Sequence, residues 1–221
     1  DTVNIRTIDA ATTVNTGADA DTVKVGSLAP ATGGNVNRIA ALLTINGEGE
    51  ADSLNVDDTG DTADNTGNLT ATGITGLGMT GKIVYGTVES LTIGLGSGDD
   101  TFTVASTHTG TTELNTNTGN DTVTLETISG NSTVNTAAGS DTVNIRTIDA
   151  ATTVNTGDDA DTVNVGSLAP ATGGDVNGIG AVLTINGDGE ADSLNVDDTG
   201  DTAGNTGNLM ATDITGLGMT G

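Results

Sequence analysis

The chain contains no cysteine and no tryptophan, and it has only one phenylalanine, one tyrosine and two prolines. Without cysteine it can form no disulfide bonds and has no thiol chemistry. Its core must come mainly from valine, isoleucine, leucine and alanine. No apolar run approaches the roughly 20 residues that a membrane-spanning helix needs, so we expect no membrane insertion.

Basic residues are also scarce, because five of them face 30 acidic residues and leave a net charge of -25. Such a charge repels itself in any compact state. Nucleic acid and anionic membrane carry the wrong sign to bind this surface. The composition therefore predicts divalent cations, or a partner with basic groups, as ligands, and no nucleic-acid partner.

The residues that usually carry catalysis are few. His108 is the only histidine, it falls in a predicted turn, and no plausible nucleophile accompanies it. The many carboxylates are already explained by a repeat, described next, and no convergent group of catalytic types is visible. We therefore expect His108 at the surface and expect the chain not to be an enzyme.

The sequence repeats itself with a long period, since residues 1–81 recur as residues 141–221 with ten differences. This predicts one complete tandem repeat at 1–140 and the first part of the next copy at 141–221, continuous in one stack. The chain starts in the middle of a repeat, so we expect a longer parent protein and any secretion signal outside this stretch.

A shorter period appears when the aspartates that precede threonine or serine are aligned. These anchor residues are Asp1, Asp21, Asp52, Asp100, Asp121, Asp141, Asp161 and Asp192. Most lie 20 or 21 residues apart, two intervals are 31 and one is 48. Twenty residues is therefore the basic coil, and the 48-residue interval is expected to hold an additional coil. Insertions are predicted as loops at 29–41, 57–67, 169–181 and 197–207.

Apolar residues keep a fixed relation to the anchors. They stand two and four residues after each one, as Val123 and Leu125 do after Asp121, and seven residues before, as Leu114 does. This alternation predicts two strands per coil. Twenty residues leave no room for a crossover helix, so the sequence predicts an all-β parallel β-solenoid, similar to a β-roll, of roughly ten coils. Outward residues would form polar rows, for example Thr2, Thr22, Ser53, Thr101 and Thr122.

The turns before the anchors are rich in glycine and aspartate. The stretch LGSGDDTFT (95–103) resembles the nonapeptide of the RTX-type calcium-binding β-roll family through Gly96, Gly98, Asp100 and Phe102, and lacks only its first glycine. The resemblance implies that turn carbonyls and aspartates of neighbouring coils bind Ca²⁺, here along one edge. The candidate ligands are Asp19, Asp21, Glu48, Glu50, Asp52, Asp99, Asp100, Asp121, Asp141, Asp159, Asp161, Asp188, Glu190 and Asp192.

Independent physical chemistry supports calcium, because Ca²⁺ takes six to eight oxygen ligands and crowded carboxylates are costly without a cation. Acids replace the family's glycine two residues before four anchors, and Glu48, Glu50 and Asp52 form an acidic triad. The alternative is that the aspartates only cap turn N–H groups while asparagines stack as a ladder. The acidic stretch 57–67 begins like an EF-hand loop but lacks its later residues, which favours a solvated loop.

These observations favour a non-enzymatic, calcium-stabilised structural module of an elongated extracellular bacterial protein such as a fibre, filament or adhesin stalk. The expected partners are calcium ions and neighbouring repeats, with end-to-end self-assembly as a variant. The alternative is an ice-binding or surface-binding adhesin module that uses outward rows of threonine and asparagine.

Overall fold

Short strands form wherever β-branched and leucine residues alternate with threonine and asparagine, and Gly- and Asp-rich turns end them. The computed structural model describes all 221 residues. Its strands are β1 (Thr2–Ile5), β2 (Thr12–Asn15), β3 (Thr22–Val25), β4 (Leu42–Asn46), β5 (Ser53–Asp57), β6 (Thr66–Thr70), β7 (Gly73–Gly76), β8 (Lys82–Gly86), β9 (Ser90–Gly94), β10 (Thr101–Val104), β11 (Thr111–Asn115), β12 (Thr122–Leu125), β13 (Ser132–Asn135), β14 (Thr142–Ile145), β15 (Thr152–Gly157), β16 (Thr162–Val165), β17 (Leu183–Gly187), β18 (Ser193–Val196), β19 (Gly207–Leu209) and β20 (Ile214–Gly216).

Two long sheets face each other across the core. The first sheet has eight parallel strands in the order β1-β3-β5-β9-β11-β13-β15-β17. The second has ten strands in the order β18-β16-β14-β12-β10-β6-β7-β8-β4-β2, and only β7 runs antiparallel to its neighbours. The all-β parallel solenoid is thereby confirmed. One strand of the first sheet belongs to each coil, so the stack has eight coils, somewhat fewer than the spacing suggested.

The core is one continuous strip between the two sheets. Apolar residues at the second and fourth positions after the anchors point inward, so that Val23, Val25, Leu54 and Val56 are all buried. A single cluster of 35 buried residues extends from Ile5 to Ile179. The core therefore passes through the boundary at residue 141 without interruption.

An antiparallel excursion occupies the long interval between Asp52 and Asp100. After β5 the chain enters the second sheet as β6, reverses direction as β7 and reverses again as β8, all within that sheet. It then returns to the first sheet as β9. The interval thus contains three crossings between the sheets, whereas a regular coil has two. The interval therefore holds half a coil more than a regular interval, together with a hairpin that does not change sheets, and not the full additional coil that was expected.

This excursion changes which strands are stacked. Strand β5 pairs with β9 (Leu54 beside Leu91) and not with the equivalent strand β10. The predicted row of threonines is therefore interrupted between Ser53 and Thr101, which lie in different sheets. The anchors Asp21 and Asp52 precede strands of the first sheet, whereas Asp100 and all later anchors precede strands of the second. The anchors consequently line both edges of the solenoid, not one edge as expected.

Large side chains fill the interior at the hairpin. Phe102 and Tyr85, the only aromatic residues, are buried there together with Leu77. The Phe102 ring packs against Gly67, where a Cβ atom would lie 2.5 Å from the ring. The Tyr85 hydroxyl donates to the Thr70 carbonyl at 2.8 Å. The side chains of the two extra strands thus belong to the same continuous core as the regular coils.

The equivalent residues Leu54 and Leu194 provide a test of how much the stacking of coils stabilises the fold. Leu54 is 0% exposed and Leu194, in the last coil, is 50% exposed within an identical local sequence. We expect Leu54→Ala to lower the free energy of unfolding by about 2–5 kcal/mol. We expect Leu194→Ala to lower it by less than about 1 kcal/mol. Urea denaturation would measure both, and equal losses would contradict the stacking order.

Candidate functional site: carboxylate rows along the turns

An inner row of anchor carboxylates runs along each edge, at the point where a turn leads into a strand. On the longer row the N–H of each anchor donates to Oδ1 of the next: Asp100 to Asp121 and Asp121 to Asp141 at 2.7 Å, then Asp141 to Asp161 at 2.8 Å. The Asp161 N–H continues the row to Asp192. Each carboxylate therefore satisfies a backbone donor that the neighbouring coil leaves unpaired.

The shorter row follows the same rule on the opposite edge. The amino group of Asp1 contacts Asp21, and the Asp21 N–H donates to Asp52 Oδ1 at 2.9 Å. The Asp52 N–H then donates to Glu89 Oε2 at 2.7 Å. Glu89 thus takes the place of an anchor, which the sequence reasoning missed. The signal was available, because Glu89 precedes Ser-Leu-Thr-Ile as Asp52 precedes Ser-Leu-Asn-Val.

The second carboxylate oxygen of the anchors faces the interior. Oδ2 is buried without a hydrogen-bond partner in Asp21, Asp52, Asp100, Asp121, Asp141 and Asp161. The Thr136 hydroxyl lies beside the Asp141 carboxyl, but its proton is directed to the Thr156 carbonyl at 2.8 Å. Beside Asp52 the corresponding residue is Gly47, where a Cβ atom would collide with Oδ2. The anchors thus have one satisfied oxygen and one that lacks a donor.

Burial shifts the ionisation of this row. Loss of solvent raises the pKa of Asp141 to about 7, although the Asp121 N–H that donates to its Oδ1 acts in the opposite direction. Burial also raises the pKa of Asp100, Asp121 and Asp161. Protonation at Oδ2 would turn this oxygen into an O–H donor, and threonine Oγ1 is a nearby acceptor for it in three coils. Burial therefore shifts these carboxyls toward the neutral form relative to the unfolded chain.

The remaining candidate ligands lie outside the coil. Asp19, Glu48, Glu50, Asp99, Asp159, Asp188 and Glu190 are exposed, as is the end-coil anchor Asp192. The acidic triad is not brought together, because Asp52 points inward while Glu48 and Glu50 point to solvent. No group of three or more aspartate, glutamate, histidine or cysteine side chains is arranged to hold a metal ion.

The inner rows do not fit a calcium site of the β-roll type. Calcium requires converging oxygens, whereas each anchor Oδ1 is contacted by an N–H donor and each row supplies one carboxylate per coil. The rows match the alternative interpretation, in which the aspartates cap backbone N–H groups of the turns. Calcium binding by the exposed acids stays a prediction.

A second row of polar side chains lies one residue before the anchors. Asp64 Oδ1 accepts from the Asp99 N–H at 2.9 Å, Asp99 Oδ1 from the Asn120 N–H at 2.7 Å, and Asn120 Oδ1 from the Ser140 N–H at 2.9 Å. Asp99 was expected as a calcium ligand, and here it caps a turn. Asp64 was not singled out from the sequence, because its loop departs from the 20-residue period.

The acidic stretch 57–67 anchors the inserted loop at 29–41. Asp57 Oδ2 accepts from the Gly34 N–H at 2.8 Å and Asp58 Oδ1 from the Val36 N–H at 2.9 Å. Asp58 is fully buried, and burial raises its pKa to about 7. The Asn37 amide donates to Asp61 at 2.8 Å. The side chains of this stretch therefore hold the 29–41 loop in place. A solvated loop was expected, but Asp58 is buried.

Few charges are paired with opposite charges. The ion pairs are the Asp1 amino group with Asp21, and Arg146 with Glu126 at 2.7 Å. His108 is partly buried rather than at the surface, with its ring edge-to-face against Tyr85 at 5.8 Å between centroids. Burial lowers the pKa of His108. Most of the net charge of -25 is therefore left to solvent and its ions.

The geometry defines a parallel β-solenoid whose turns are joined by stacked carboxylates. No protein-family model, curated protein or solved structure matches the chain. The likeness to the RTX-type family consequently remains a prediction from the turn motif. The structure contains no helix long and apolar enough to cross a bilayer.

The raised pKa values predict that the fold weakens as pH rises. A carboxyl whose pKa is about 7 when folded and near 3.8 when unfolded stabilises the fold fully below about pH 4, and this contribution is lost as pH rises through 7. We expect Asp141→Asn to reduce the fall in unfolding free energy between pH 4 and pH 8 by at least about 1 kcal/mol, since one pKa unit corresponds to about 1.4 kcal/mol. The asparagine Oδ1 can still accept from the Asp121 N–H.

Thermal and urea unfolding across this pH range would measure the effect. Asp159→Asn, at an exposed position, serves as the matched control and removes the same charge. Identical pH profiles for the two variants would show that Asp141 is not preferentially neutral in the fold.

Proposed function

We propose that the chain is a non-enzymatic structural module of an elongated extracellular protein, such as a fibre, filament or adhesin stalk. One observation carries the proposal: both sheets continue from the first copy of the repeat into the second. Strand β12 pairs with β14 across the copy boundary, and β13 pairs with β15, both in register. Tandem copies therefore extend the same stack instead of forming separate domains.

The stack has the properties of a stiff spacer. Along the first sheet the chain climbs five and a half coils from β1 to its copy β14, which corresponds to about 26 Å at 4.8 Å per coil, and the second sheet has two more strands over this stretch. Asparagine amides add side-chain bonds along the axis, as from Asn155 to Asn135 and from Asn135 to Asn115, both 2.7 Å. Each coil is thus tied to the next by backbone and by side chains.

The arrangement of ionisable groups supports a structural role over an enzymatic one. Buried anchors are used as caps for backbone N–H groups, and His108 packs against Tyr85. The extracellular location rests on the RTX-like turn motif and on the acidic surface. Extracellular calcium, at millimolar concentration, suits weak sites built from exposed carboxylates.

Small-angle X-ray scattering can test the spacer role. We expect a chain lengthened by one more 140-residue copy to have a maximum dimension about 26 Å greater, with an unchanged cross-section, because the added coils stack on the same axis. The control is the same chain lengthened by an unrelated compact domain whose mass equals that of the added copy. A larger cross-section, or no gain in length, would overturn the proposal.

The same samples test the calcium prediction, with Ca²⁺, Mg²⁺ or chelator present during thermal unfolding followed by circular dichroism. If the chain has specific calcium sites, Ca²⁺ raises the melting temperature more than an equal concentration of Mg²⁺ does, and a chelator lowers it again. Equal effects would indicate general screening of the negative charge and would remove calcium from the proposal.

A second candidate function is binding of an ordered surface, such as ice, by a flat polar array. The outer face of the second sheet carries two parallel rows. One row is Thr101, Thr122, Thr142, Thr162 and Ser193, and the other is Thr103, Thr124, Asn144, Asn164 and Asn195, in which Asn144 is only 2% exposed. Rows two residues apart on a strand are separated by about 6.7 Å, and neighbours within a row by about 4.8 Å. The regular spacing favours a repetitive target.

Ice recrystallisation inhibition would distinguish this candidate from the spacer. If the array binds ice, the chain inhibits at micromolar concentration, and a variant with Thr122→Lys, Thr142→Lys and Thr162→Lys loses most of that activity. The control carries Thr80→Lys, Thr109→Lys and Thr172→Lys at exposed turn positions. Absence of inhibition by the unmodified chain would remove the candidate.

A further inference from the structure

A groove lies on the outer face of the first sheet, beside the loop at 29–41. One wall is the loop segment 29–32, and the floor carries Lys24 of β3, Asn55 of β5 and Thr92 of β9, which are neighbours in one row. Its volume is about 300 Å³, which lies at the lower end of the range for small-molecule sites. Each of the three strands is paired on both sides, so complete coils form this first groove.

The loop wall is held in place before any ligand arrives. The Gly34 N–H donates to Asp57 Oδ2 at 2.8 Å, and Arg6 Nε donates to the Ala29 carbonyl at 2.6 Å. Pro30, which is exposed at the wall, has a backbone φ fixed by its ring. A wall that is already ordered loses little conformational entropy when a ligand binds.

The floor side chains are free to bind a ligand. None of Lys24, Asn55 and Thr92 has a hydrogen-bond or ion-pair partner within the chain, whereas the amides of Asn135 and Asn155 donate along the stack. All three are half-buried, and together they offer ammonium, amide and hydroxyl groups. The first groove thus combines free donors and acceptors on its floor with an apolar wall.

We propose that this groove binds a sugar unit of an uncharged polysaccharide. A sugar ring carries hydroxyl groups that donate and accept hydrogen bonds, and C–H groups that pack on apolar surface such as that of Pro30 and Ala31. The net charge of -25 disfavours a polyanion. A peptide strand would need unpaired backbone groups, and the floor lies inside a sheet whose strands are already paired.

A groove of the same construction recurs in the second copy. Its wall is the segment 169–172, its floor carries Asn164 and Asn195, and the Gly174 N–H again donates to Asp197 Oδ2 at 2.8 Å. Strands β16 and β18 belong to the second sheet, so this second groove opens on the opposite face of the solenoid. A rod built from these copies therefore presents sugar sites on both faces.

One substitution between the copies separates charge from the shared chemistry. Lys24 becomes Asn164 in the second copy, where the Asn195 amide donates to Asn164 Oδ1 at 2.9 Å. The cation is therefore not common to the two grooves, whereas the wall and the polar floor are. We expect Lys24→Asn to keep at least about a third of the affinity of the chain for an uncharged polysaccharide.

Native gel electrophoresis of the 221-residue chain tests the proposal, with dextran, mannan or galactan in the gel and the anionic polymer alginate as a comparison. Mobilities are taken relative to a gel without polysaccharide, which removes the effect of a changed protein charge. We expect at least one uncharged polymer to retard the chain.

A double variant at the floor locates the binding. We expect Asn55→Leu with Thr92→Leu to weaken the retardation at least about twofold, because leucine fills the floor and removes its hydrogen-bonding groups. The matched control is Thr133→Leu with Thr153→Leu, two half-buried neighbours in the same outer row but outside the groove. The control should be retarded as strongly as the unmodified chain.

The proposal would be overturned by lack of retardation in all three uncharged polymers, or by equal retardation of the floor variant and its control. Retardation by alginate alone, or complete loss of binding in Lys24→Asn, would also overturn it, because charge would then carry the interaction. The inference goes beyond the proposed spacer role. The two fail separately, because scattering measures the length of the rod and electrophoresis measures sugar binding.

Discussion

The fold depends on the in-register stacking of each coil on its neighbours. A regular coil, outside the hairpins, contributes strands of four to six residues, which bury nothing on their own and have no hydrogen-bond partners within the coil. Stacking supplies both the partners and the apolar contacts at once. Ile5 and Ile179 belong to the same core for this reason, although 174 positions separate them in sequence.

The turns could have been the weak part of such a stack, because turn N–H groups on the edges have no strand to pair with. The anchor carboxylates remove this problem by accepting the N–H of the adjacent coil, as Asp141 does for Asp121. The arrangement places like carboxylates in a row and takes them out of water. The loss of water and the neighbouring charges raise the pKa of Asp141, so this carboxyl takes up a proton more readily in the folded state than in the unfolded chain.

Much of the architecture could be predicted from sequence, and the failures have a common cause. Alternating residues such as Val123 and Leu125 specify strands, and the regular spacing of the aspartates specifies the coil. The reversal at β7 was not visible, because a hairpin of Ile74 and its neighbours adds length without changing the 20-residue rule on either side. The sequence also could not show which way the anchor side chains point, since a capping aspartate and a calcium-binding aspartate occupy the same turn position.

The odd number of sheet crossings in the excursion has a geometric consequence for the repeat as a whole. The loop at 29–41 follows a strand of the first sheet, whereas its copy at 169–181 follows a strand of the second. Successive copies are therefore related by a half-rotation combined with a translation, which is a two-fold screw operation. Any lateral feature of the repeat points alternately to opposite sides, so the extra strands that one hairpin adds to one sheet are balanced by those that the next hairpin adds to the other sheet.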